Sequence, residues 1–67
     1  MNEMVKFWLI YLYEREIEEA KENLKNHKLW LLGAKNREEE IMETENIANI
    51  HEYIRTLTEL KENLEKQ

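Results

Sequence analysis

Fifteen glutamates and two histidines carry the widest chemical repertoire in this chain, because helical proteins build di-metal carboxylate centres from Glu-x-x-His pairs on facing helices. The spacing fails to supply such a pair. The residue three before His27 is Leu24, and the residue three before His51 is Ala48. His27 falls on an apolar helical line near a turn and is expected to pack there, while His51 lies beside a second apolar line and is expected in solvent. Cysteine, serine and aspartate are absent altogether. That removes Ser-His-Asp and Cys-His catalysis, Asp-based phosphoryl transfer, EF-hand loops and thiolate metal sites. Thr44, Thr56 and Thr58 lack neighbours that activate a hydroxyl, and a single glycine cannot build a phosphate-cradling loop. No catalytic, metal or cofactor site is therefore expected, and the chain reads as non-enzymatic.

The charged residues have plainer uses. Glu14, Glu16, Glu18 and Glu19 form a solvated helix face, with nucleic-acid mimicry as its sharper alternative. Lys21, Lys25, Lys28, Lys35 and Arg37 gather around a turn with Trp30 among them, a pattern that can hold RNA but also complements a helix C-terminus. A net charge of -5 favours the helix-end reading, so nucleic acid is not an expected partner.

The elements that must position these residues are helical. The chain has no proline, one glycine, 42% hydrophobic and 37% charged residues. This balance suits long helices. Ile10, Tyr13, Ile17, Ala20, Leu24, His27 and Leu31 recur in alternating steps of three and four, predicting a first helix over about 3–32. Gly33 follows the last apolar turn, where a left-handed residue is expected, and Asn36 with Glu39 three residues on predicts the N-terminus of a second helix over about 37–65. Ile47, Ile50, Ile54, Leu57 and Leu64 give that helix its seam, with Met42, Tyr53 and Leu60 expected to widen it. A four-residue turn, 33–36, makes the helices antiparallel, with facing residue numbers adding to roughly seventy. Leu24 then faces Ile47, Ala20 faces Ile50, Ile17 faces Ile54, Tyr13 faces Leu57 and Ile10 faces Leu60. In this alignment Lys21, Lys25 and Lys28 are expected beside Glu40, Glu43 and Glu45.

Sixty-seven residues make one small domain, a size at which a single core supplies only about 3–5 kcal/mol without a further staple. With disulfides excluded, self-association is the staple expected. The run from Phe7 to Tyr13, FWLIYLY, supplies a surface for it. Leu9, Ile10 and Tyr13 join the seam. Val5, Trp8 and Leu12 lie roughly 110° round the helix, on a line that also carries Trp30, and form the expected dimer interface. Met4, Phe7 and Tyr11 form a third face, the candidate contact for another protein. The run is too short to cross a bilayer, Glu3 and the charged helix after it do not fit a secretory signal, and the acidic flank opposes docking on anionic lipid. A cytoplasmic protein is expected.

In layout the chain is similar to the small RNA-binding protein Rop, an acidic helical hairpin that dimerises into a four-helix bundle, although no residue motif is shared. It is also similar in layout to the short hairpin phosphatases of sporulation response regulators, whose second helix carries Ser-Gln-x-x-Asp. Here Thr44-Glu45-Asn46-Ile47-Ala48 lacks the Ser, the Gln and the Asp, which excludes that activity. The sequence thus predicts an all-α antiparallel two-helix hairpin, a homodimeric four-helix bundle, acting as an adaptor or inhibitor through protein contacts. The alternatives are a nucleic-acid-mimicking or RNA-binding hairpin and a membrane-surface helix.

Overall fold

Asn2 starts the first helix by accepting hydrogen bonds from the backbone N–H groups of Met4 and Val5, at 2.8 and 3.4 Å. The computed structural model, which describes residues 2–67, contains two helices, α1 (Glu3–Leu32) and α2 (Arg37–Glu65), and no strand among those residues. They form an antiparallel hairpin with principal extents of 51 × 15 × 11 Å. Asn36 caps α2 by accepting from Glu39 N–H at 2.9 Å, and the Glu39 carboxylate reaches back to accept from Lys35 N–H at 2.8 Å. These bonds occupy donors that a helix start otherwise leaves unpaired, and Glu38, Glu39 and Glu40 place negative charge at its positive end.

Gly33 does not adopt the left-handed conformation expected of it. Its φ and ψ are -95° and 9°. The last turn of α1 tightens instead: Gly33 N–H donates to the carbonyls of Leu29 and Trp30, and Ala34 N–H donates to Leu31 at 3.1 Å. Three-residue closures of this kind satisfy the terminal carbonyls without a positive φ.

The α1 seam is the one its spacing predicts, with Ile17 and Ala20 buried and Ile10, Tyr13, Leu24, His27 and Leu31 half-buried. On α2, Leu57 and Leu64 are buried and Ile47, Ile50 and Ile54 half-buried. Met42, Tyr53 and Leu60 do not widen this seam. They remain 54%, 47% and 44% exposed, because two helices in contact cover only the narrow stripe of three- and four-residue steps. Lys61, half-buried, rather than Leu60, continues that stripe. Its stem lies in the seam while its ammonium reaches Glu14 at 3.5 Å and Glu65 at 3.7 Å.

The expected interhelical lysine–glutamate pairs do not form. Lys21 pairs with Glu18 on its own helix at 3.5 Å, and none of Lys21, Lys25 and Lys28 bridges to Glu40, Glu43 or Glu45 among the described residues. Glu43 turns inward, away from the lysines, to a position only 9% exposed. There its carboxylate meets His27 Nδ1 at 2.5 Å.

Candidate functional site

The first three turns of α1 leave their outward side bare. Met4 is 80% exposed, Phe7 63% and Trp8 62%, and Val5 and Tyr11 are each half in solvent. Asn2 fixes where the helix begins, and Leu9, Ile10 and Tyr13 hold its inner side toward α2, so the remaining side chains of the run have only water to face. The Trp8 and Tyr11 rings stack, with centroids 5.5 Å apart and planes 17° from parallel. Together with Glu3, Met4, Val5 and Phe7 they line an open groove of about 940 Å³. It is a trough on one side of a helix and encloses nothing, a form suited to a side-chain ridge of another polypeptide more than to a small molecule.

This groove draws on two faces that the helical wheel separates. Val5 and Trp8 come from the line assigned to self-association, and Met4, Phe7 and Tyr11 from the third face. The width of the stacked rings joins them. Leu12, 38% exposed, borders the patch one turn further on. Trp30 stands apart, about 33 Å from Trp8 along the helix axis at 1.5 Å per residue. It packs edge-on against His27, with ring centroids 4.8 Å apart and planes at 85°.

A groove also runs between the helices on each flank of the hairpin, and the two differ in character. One is charged, with Glu14, Glu18, Lys21, Lys61, Glu62 and Glu65 along it. The other is lined by Glu16, Glu19, Ala20, Asn23, Ile50 and Tyr53. Helical periodicity carries this second flank outward along both helices, to Val5, Leu12 and Trp30 on α1 and to Met42, Asn49 and Leu60 on α2. At its centre the Tyr53 hydroxyl donates to Glu16 at 3.1 Å. That hydrogen bond, more than partial burial and the negative charge of Glu16 and Glu19, holds the Tyr53 phenol above its ordinary range. On the outer surface of α2, Arg55 is clasped by Glu52 and Glu59, which raises the Arg55 pKa, while Arg55 lowers that of Glu52 through hydrogen bonding and charge.

His27 and Glu43 are the one part-buried ionisable pair among the described residues, and spacing alone expects Glu43 beside the lysines. A signal for its inward position exists: Glu43 and Lys61 each stand in step with the apolar α2 seam, where a polar residue resembles a gap. The described residues include no group of three or more His, Asp or Glu side chains placed to share a metal ion. Nor is any described helix long and apolar enough to cross a membrane. His51 lies in solvent on the opposite side of α2 from the Tyr53 flank. No protein-family model, curated protein or solved structure matches the chain.

Proposed function

We propose that this chain is a small non-enzymatic protein-interaction module, of adaptor or inhibitor type, that self-associates through the apolar N-terminal part of α1. The observation that carries this reading is the patch of Met4, Val5, Phe7, Trp8 and Tyr11, exposed and contiguous on a chain that is 37% charged. Apolar patches of this kind on small soluble domains mark contacts with other macromolecules. The thin seam points the same way, since Ile17, Ala20, Leu57 and Leu64 are the only buried apolar residues among those described. Covering a large apolar side chain stabilises by about 1.5–3 kcal/mol, so a second copy seated on this surface adds stability the isolated hairpin lacks. In this reading Val5, Trp8, Leu12 and Trp30 serve the dimer, and Met4, Phe7 and Tyr11 face a further protein.

Sedimentation equilibrium tests the proposal. Wild-type protein is expected to run as a dimer, and the Trp8→Glu/Leu12→Glu variant, which places four carboxylates in the interface, as a monomer. A wild-type chain that stays monomeric at tens of micromolar, where interfaces of standard size are normally filled, refutes self-association.

A further inference from the structure

Two helices side by side present two broad flanks, and only one of them is built to be covered. Along the Tyr53 flank, α2 shows Met42, Asn46, Asn49, Tyr53, Thr56 and Leu60, none of them charged, although the glutamates and arginines of the same helix crowd its other sides. The α1 half of this flank ends in apolar side chains, Val5 and Leu12 at the open end and Trp30 by the turn, with Glu16, Glu19 and Asn23 between them.

We infer that a second copy of this chain covers the Tyr53 flank with its turn at the same end, the two-fold axis running along the hairpin, so that α1 of each copy packs on α2 of the other. The inference rests on the self-association proposed above and adds its orientation and the contribution of α2. A dyad along the long axis keeps every residue at its own height, so the pairing between α1 and α2 within one hairpin repeats between copies. Leu12 then lies between Thr56 and Leu60 of the second copy, and Trp30 lies nearest Met42. Between them Glu16 lies at the height of Tyr53 and Thr56, Glu19 between Asn49 and Tyr53, and Asn23 between Asn46 and Asn49. Leu12 reaches Leu60, the indole reaches the Met42 thioether, the Glu16 carboxylate lies beside the Thr56 hydroxyl, and Asn23 lies between two amides, each both donor and acceptor.

The inverted arrangement, with turns at opposite ends, lays α1 on α1 of the second copy. Glu16 and Glu19 lie at mid-height of the 30-residue α1, so they would meet Glu19 and Glu16 of the other chain and gather four carboxylates about the dyad. Leu12 would meet Asn23, and Leu60 would lie nearest Asn46, so both leucines would be covered by amides that lose water without gaining a partner. The face available to either arrangement, 51 by 15 Å, is comparable with the ~800 Å² per partner that a standard interface covers.

The chain lacks cysteine, so a single label placed in the exposed turn reports the orientation directly. Lys35→Cys carrying a nitroxide, examined by sedimentation and by dipolar electron spin resonance, is expected to run as a dimer with a spin–spin distance below about 30 Å, from helix spacings of about 8–10 Å plus two label arms. A dimer with a distance near the 51 Å length of the hairpin overturns the orientation and leaves self-association standing. A monomer overturns both and leaves the flank to a different protein.

Discussion

The two ends of the hairpin are held by different means. At the turn end, directional contacts dominate: the Asn36 cap with its Glu39 return bond, the tightened last turn of α1, and His27 gripped between Glu43 and the Trp30 ring. At the open end, apart from the Asn2 cap and a bond from the Lys6 ammonium to the Gln67 carbonyl, stabilisation comes from apolar area, and much of that area is uncovered. Polar contacts complete themselves within one chain. Apolar surface in solvent contributes only when something is placed on it. The turn end therefore suffices for itself, and the open end is where a second chain has most to add.

Substitutions can break this contrast, beginning with the largest expected effect. His27→Ala leaves the Glu43 carboxylate inside the seam without its partner and is expected to cost about 3 kcal/mol or more in thermal or urea unfolding, enough to abolish folding of a marginal hairpin. His27→Leu/Glu43→Leu, which removes both polar groups and keeps apolar volume, is expected to recover that loss; a double variant as unstable as the single one would show that the pair matters for more than mutual compensation. Leu64→Ala at the open end opens a gap under the exposed run and is expected to cost about 2–3 kcal/mol. Raising the protein concentration should offset part of this loss if association braces that end, and a melting temperature independent of concentration would erase the distinction between the ends. Asn36→Ala removes a helix cap and is expected to cost about 1 kcal/mol at the turn end, a loss relative to wild type that is the same at every protein concentration because the cap closes within one chain. Gly33→Ala gives the smallest effect, neutral or stabilising by up to about 1 kcal/mol. Its φ is negative, and an added Cβ would lie 3.8 and 3.9 Å from the Trp30 and Leu29 carbonyl oxygens, ordinary contact. In calorimetry, destabilisation beyond about 1 kcal/mol would point back to a left-handed requirement at this position.

The same contrast governs what can be read from the sequence. The two helices are legible because steps of three and four persist along each of them and because Asn36 and Glu39 stand in capping order, signals that depend only on neighbours in the chain. A left-handed Gly33 is a reasonable expectation from residue type, but the helix end finds its hydrogen bonds by tightening. Glu43 and Lys61 stay hidden because periodicity counts apolar residues, and a carboxylate or an ammonium at a seam position counts as nothing until its partner is known. Met42, Tyr53 and Leu60 mislead in the opposite sense. Their apolar character assigns them to the seam, yet a single neighbouring helix is too narrow to cover positions one step off its contact line. The Trp8–Tyr11 stack escapes the helical wheel because a wheel has angles and no ring widths.

His27 and Glu43 also bear on how the helices find their alignment. Ile, Leu and Ala at the remaining seam positions pack acceptably in several staggers, so apolar packing alone leaves a sliding degree of freedom. Sliding α2 by seven residues would set Glu43 against Ala20 or Ala34, neither of which can accept or share its charge. The contact at 2.5 Å is available in one alignment only. A polar pair costs stability compared with leucine, but it excludes the neighbouring staggers, as a single buried polar residue fixes pairing in coiled coils. The least apolar contact in the seam is the one that tells the others where to stop.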